Sequence, residues 1–205
     1  MISSEFLMTS LVLVLMPGTG VLYTISASLF GGKKSSLFAA LGCTIGIVPS
    51  LIASILGLAV VLNTSAQAFQ IMKFVGVAYL LYLAWSMLKS TGALIIKENG
   101  VQKSLYQVAF KGFLINILNP KLTAFFLAFL PQFIPNNALN PTVNMLLLGS
   151  IFMLMTFLVF ILYGILATRV RHYIIHSEKI STMLQRIFAG SFALLGLKLA
   201  LTEQK

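Results

Sequence analysis

"LVLVLMPGTGVLYTISASLF", residues Leu11 to Phe30, has enough apolar length to cross a bilayer, yet Pro17, Gly18 and Gly20 interrupt it near its middle. A membrane-spanning helix needs about 20 apolar residues. An interior proline removes one amide donor and clashes with the carbonyl four residues back. The stretch therefore predicts a transmembrane helix that breaks inside the membrane and frees the carbonyl of Leu13. A break of this kind survives in lipid only where other groups of the protein satisfy the released backbone.

The remaining sequence makes the chain a membrane protein throughout. Of 205 residues 59% are apolar and 9% charged, more apolar surface than a soluble core of this size can use. The apolar runs are long and do not alternate, unlike the roughly ten-residue segments of a barrel, so the expected fold class is an all-α integral membrane protein. Six spans are expected, at about Phe6 to Phe30, Phe38 to Leu62, Phe69 to Leu88, Val108 to Phe133, Val143 to Thr168 and Met183 to Leu201. Together they form a single transmembrane domain over residues 1–205.

Charge sets the orientation and removes several function classes. The chain has no Asp, and its acids, Glu5, Glu98, Glu178 and Glu203, lie at the ends of apolar runs or between them. Chemistry that depends on acidic pairs or carboxylate-held metal has no residues to use, and no cofactor or metal is expected. The net charge of +10 sits mostly between the apolar runs. That placement fits anionic lipid as a partner and topology as a cause, not nucleic acid. Lys33 and Lys34 mark the first connection, Lys89, Lys97, Lys103 and Lys111 the third, and Arg169, Arg171 and Lys179 the fifth. The second has only Lys73 at its edge, and the fourth, "PQFIPNNALNP", has no basic residue. The positive-inside rule makes the odd connections cytoplasmic and puts both termini outside. No Lys or Arg precedes Lys33, so a secretory signal is not indicated and the first apolar run is expected in the mature protein. Cys43, the one cysteine, reads as a small buried apolar residue. His172 and His176 stand one helical turn apart and read as an interfacial pair, although that spacing can hold zinc.

A second break matches the first. "INILNPKLTAFFLAFLPQF", residues 115–133, places Asn116, Asn119, Pro120 and Lys121 inside another span. Pro17 and Pro120 share an offset of 103 positions with Gly46 and Gly149 (17 to 120 and 46 to 149), and "FVGVAYLLYL" in the third span resembles "FAGSFALLGL" in the sixth. Three spans per half make the halves, about 1–100 and 101–205, an inverted repeat, the architecture of many secondary transporters with substrate bound near the midplane. Both breaks lie roughly 15 Å into the bilayer, counted from Phe6 and Lys111 at 1.5 Å per residue. Lysine at such a depth costs about 2.5 to 3.5 kcal/mol on insertion scales, so Lys121 is expected to face a wet cavity or a partner.

The expected substrate site is therefore Pro17, Gly18, Thr19, Gly20, Asn116, Asn119, Pro120 and Lys121, with Tyr23, Thr24, Tyr79 and Thr123 as candidate path-lining residues. Amides at a new helix start and the Lys121 ammonium suit a carboxylate, and freed carbonyls suit an ammonium. An amino-acid zwitterion has both groups. "GTGVLY" is not a dinucleotide loop, for it lacks the third glycine, the preceding strand and the following acid.

These stretches resemble the LysE/RhtB family of bacterial amino-acid exporters. "MPGTG" is similar to the proline-glycine motif of the family's first helix, "GGKKSSLFAALGCTIG" to its first loop and second helix, "VGVAYLLYLAW" to its third helix, and "NPKLTAFFLAFLPQF" to its most distinctive stretch. The resemblance implies efflux of amino acids or derivatives across the cytoplasmic membrane, driven by a proton gradient. After "PG" this chain has Thr19 and Gly20 where many members carry a second proline and then an acid. Without membrane acids a neutral substrate suits the site better than a cationic one. A small-solute channel and an intramembrane enzyme are the alternatives, and a second copy of the chain is a candidate partner. A serine protease would need a buried Ser and His pair, whereas both His lie in a cytoplasmic connection.

Overall fold

The computed structural model describes residues 3–16, 18–64, 104–134 and 139–175, with single positions between 71 and 89 and between 186 and 201. Among the described residues every regular element is helical. The expected third and sixth spans, and with them Tyr79, fall largely outside this set, as do Pro17 and His176.

Helix α1, Ser4–Leu15, starts at Ser3, whose hydroxyl accepts from the Phe6 amide at 3.1 Å. It stops at Met16, which is extended (φ −65, ψ 123) as a residue before proline must be. Helix α2 runs over Thr19–Ile45 but contains Gly32 at φ 76, a left-handed conformation that favours glycine. That residue turns α2 into a hairpin. Ser36 Oγ donates to the Thr24 carbonyl at 3.4 Å, although in a straight helix twelve residues would separate them by about 18 Å. The first basic connection is therefore a tight turn, with Lys33 and Lys34 exposed beside Gly32.

A second interruption at Gly46 and Ile47 separates α2 from α3, Val48–Thr64. Pro49 falls in the first turn of α3, where its missing amide breaks no helical bond, so it starts a helix instead of kinking one. Helix α4, Leu105–Ile117, begins with a capping box in which Ser104 and Gln107 exchange hydrogen bonds at 3.3 and 3.2 Å. The expected fourth span bends by 55° at residues 118–120. It continues as the short α5, Pro120–Ala124, a π-helical turn over Phe125–Phe129 and a 3-10 turn to Phe133. Helix α6, Pro141–Ile175, extends past the expected end at Thr168 through Arg169 and Arg171. By length and composition Thr19–Gly57 and Pro141–Ala167 can cross a membrane, and the bent pair Leu105–Ile117 with Lys121–Phe133 makes a third such stretch.

Small residues let α4 lie against the second arm of α2. A Cβ on Gly42 would come within 1.9 Å of the Ala109 carbonyl, one on Gly46 within 2.6 Å of the Phe113 carbonyl, and one on Gly112 within 2.9 Å of the Ala39 carbonyl. Gly42 and Gly46 form a GxxxG pair, the packing device of membrane helices, where dispersion and close approach replace the hydrophobic effect. The π-helical turn is pinned by aromatic contacts: Phe125 stacks on Phe152 of α6 at 4.7 Å, and Phe126 meets Phe152 edge-on at 5.3 Å. Many large apolar side chains, Met8, Leu56 and Leu158 among them, face outward, as a lipid-facing exterior requires.

Candidate functional site

The last turn of any helix leaves carbonyls without amide partners, and Pro17 removes the donor that Leu13 would otherwise receive. Lys121 supplies what is missing. Its Nζ donates to the Leu13 and Met16 carbonyls, each at 3.1 Å, and so links the second break to the first. Asn119 fixes the lysine backbone as the N-cap of α5, its Oδ1 accepting from the Lys121 amide at 3.1 Å. Asn119 Nδ2 donates to Asn116 Oδ1 at 3.2 Å, and Asn116 Nδ2 donates to the Cys43 carbonyl at 2.7 Å. Both asparagines are buried, at 1% and 6% exposure, so this chain of bonds ties α4, α5 and the α2 hairpin together out of water.

The two glycines of the first break admit this network. A Cβ on Gly18 would come within 3.2 Å of Lys121 Nζ, and one on Gly20 within 2.7 Å of Asn116 Oδ1 and 3.1 Å of the Phe160 ring. Gly18 is the N-cap of α2 and offers no side chain to the first-turn amides. Those amides carry the positive end of the helix dipole.

Between the breaks and α6 lies a cavity of about 10 Å³, room for one water molecule. Gly18, Gly20, Asn116, Asn119 and Lys121 form its polar wall, and Phe152, Thr156 and Phe160 of α6 form the opposite one. Among the described residues no acid lines it. A cation with uncapped amides and no counter-charge suits a carboxylate or another small anion.

The structure thus brings five of the expected site residues into one cavity: Gly18, Gly20, Asn116, Asn119 and Lys121. Pro120 opens α5, while Thr19 is exposed and does not line the cavity. Among the path candidates, the Tyr23 hydroxyl donates to the Val108 carbonyl at 2.9 Å and its ring lies 5.5 Å from Lys111 Nζ. Thr24 is buried and donates to the Gly20 carbonyl at 2.9 Å, and Thr123 donates to the Asn119 carbonyl at 3.5 Å. Sequence reasoning missed the α6 wall. Its one signal was Thr156, a hydroxyl in the middle of the apolar run "FMLMTFLVF", which here donates to the Phe152 carbonyl at 2.8 Å.

A helical membrane chain whose interrupted helices meet at a half-buried cation beside a small cavity with one polar wall has the form of a membrane translocator. The pattern of the LysE type translocator family matches residues 11–203, and the protein belongs to that family. It is 31% identical over 199 residues to a Vibrio cholerae serotype O1 protein described as an uncharacterized membrane protein, covering 95% of this chain and 94% of the relative. It is 28% identical over 195 residues to the homoserine/homoserine lactone efflux protein of Salmonella typhimurium, with the same shares of 95% and 94%. The protein of that description from Salmonella typhi is also 28% identical over 195 residues. No solved structure matches the chain.

Proposed function

We propose that the protein is a secondary exporter of neutral amino acids or their derivatives. It is read as six spans in a three-plus-three inverted repeat in the bacterial cytoplasmic membrane, with both termini outside. The observation that carries this reading is the bridge from Lys121 to the carbonyls of Leu13 and Met16, which sets one cation between two helix breaks. An amino-acid carboxylate can accept from that ammonium and from the uncapped amides of α2, while its own ammonium donates to the carbonyls that Lys121 gives up. Among the described residues no acid lines the cavity to offer a cationic side chain a counter-charge, which favours neutral substrates. Two relatives named as homoserine efflux proteins support the same substrate class.

Coupling to protons rests on the same side chain. A bound carboxylate stabilises the ammonium form of lysine, so substrate and proton occupancy of Lys121 are linked. This linkage alone carries proton and substrate together, and net antiport further requires that they occupy Lys121 in opposite half-cycles. A cavity of about 10 Å³ holds no amino acid, so the substrate enters a more open conformation than this one.

Purified protein in proteoliposomes tests the proposal with labelled homoserine. Saturable flux that responds to an imposed proton gradient and is lost in Lys121→Gln is the expected result. Ohmic current without saturation would make the protein a channel. Absence of flux for homoserine and for every other neutral amino acid would overturn the reading.

A further inference from the structure

We infer that the ring of Phe160 is a gate, and that the path it closes runs from the central cavity along the α2–α6 interface to the Lys33 end of the hairpin. The inference rests on the transporter reading of the central cavity. The first arm of α2 presents Gly20, Thr24 and Ser28 at four-residue spacing, hence on one helical face. Thr24 and Ser28 are buried, and Ser28 Oγ donates to the Gly164 carbonyl of α6 at 2.5 Å. Helix α6 answers with Thr156, Phe160 and Gly164 at the same spacing. Ser36, on the returning arm, closes the group by donating to the Thr24 carbonyl at 3.4 Å.

Each end of this interface holds a void. The central cavity is bounded by Gly20, Thr156 and Phe160. A second cavity of about 30 Å³ is bounded by Lys33, Ser36 and Gly164. Phe160 lines the first and stands one helical turn before Gly164, which lines the second. Close packing of membrane helices accounts for the small hydroxyl and glycine residues. It does not account for two voids at opposite ends of one interface, between which stand the Phe160 ring, 3.1 Å from where a Gly20 Cβ would be, and the Ser28 to Gly164 hydrogen bond. An apolar ring at a constriction excludes water and polar solutes, whereas its rotation, with the exchangeable Ser28 and Ser36 hydrogen bonds parting behind it, would leave a passage edged by hydroxyls and carbonyls. By the positive-inside rule the Lys33 end is the cytoplasmic one.

The gate can be read without any substrate. In full-length protein carrying Cys43→Ser and Thr156→Cys, the new thiol lies on the central-cavity side of the ring. A membrane-impermeant methanethiosulfonate reagent is applied to each face of membrane vesicles, with Lys33→Cys marking the hairpin face. Adding Phe160→Ala is expected to speed labelling from the Lys33 face at least about tenfold and to leave labelling from the other face unchanged. Phe160→Leu, a smaller truncation that keeps an apolar side chain in place, should give an intermediate rate and serves if the alanine variant does not fold. Equal labelling in both variants and parent, or acceleration from the opposite face alone, overturns the gate. Because no amino acid enters the measurement, its failure would leave the export reading standing, and the two failures are read separately.

Discussion

Replacing Lys121 with methionine separates the two duties the geometry gives this residue. In this structure Nζ holds the Leu13 and Met16 carbonyls, each at 3.1 Å. Hydrogen bonds to a charged group contribute about 1.5 to 3 kcal/mol each, so the pair supplies roughly 3 to 6 kcal/mol. Against this stands the penalty for a lysine at membrane depth, about 2.5 to 3.5 kcal/mol. The apolar, similarly long methionine loses the first and escapes the second. Net destabilisation should therefore be no more than about 3.5 kcal/mol, and the variant should insert and fold. Substrate binding has no such offset: losing one charge-assisted bond to the carboxylate should weaken homoserine binding by about 10- to 150-fold. A thermal-shift titration in detergent reads both quantities, the midpoint without ligand and its rise with homoserine. Wild-type affinity in a folded Lys121→Met protein would refute the carboxylate role. Failure to fold, with Lys121→Gln failing likewise, would mean that the bridge holds α1 in place and that the two terms do not nearly cancel.

Gly20→Ala puts a Cβ 2.7 Å from Asn116 Oδ1 and must displace that side chain from Asn119 and the Cys43 carbonyl. Loss of about 1 to 3 kcal/mol of hydrogen bonding should cut homoserine flux in proteoliposomes by about 5- to 150-fold, with little change in expression. Gly42→Ala aims its methyl at the backbone carbonyl of Ala109, 1.9 Å away, which cannot rotate aside. Overpacking of this kind costs about 1 to 3 kcal/mol, and the melting midpoint in detergent should fall without a selective effect on substrate affinity. Leu139 is 97% exposed in the connection expected outside, so a Leu139→Cys thiol in a Cys43→Ser background should react with impermeant reagent added to intact cells. Reaction only in inside-out vesicles would invert the topology.

The parts of the site legible in the sequence are those fixed by covalent chemistry. Proline at 17 frees the Leu13 carbonyl whatever surrounds it, and that carbonyl is one of the two that Lys121 takes. Lysine and asparagine in an apolar run are conspicuous because lipid penalises them, so Asn116, Asn119 and Lys121 could be read as facing inward without knowing what they faced. Gly32 and Pro49 were harder. The residues "FGGKKSS" mark a connection but do not say that a single left-handed glycine closes it, and a proline at 49 does not say that the interruption beside it is centred earlier, at Gly46 and Ile47. The α6 wall was out of reach for another reason. A helix apolar on every side carries no stripe to say which face turns inward. Whether Phe160 or Leu158 meets the cavity depends on packing against partners distant in sequence, namely Gly20 and the hairpin turned by Gly32. Thr156 was the one polar mark between Ser150 and Tyr163, and a membrane threonine is equally at home bonded to its own preceding turn, as it is here to Phe152. What the residues could not encode locally is therefore the rotation of α6, and it is that rotation which sets the Phe160 ring against Gly20 in the wall of the central cavity.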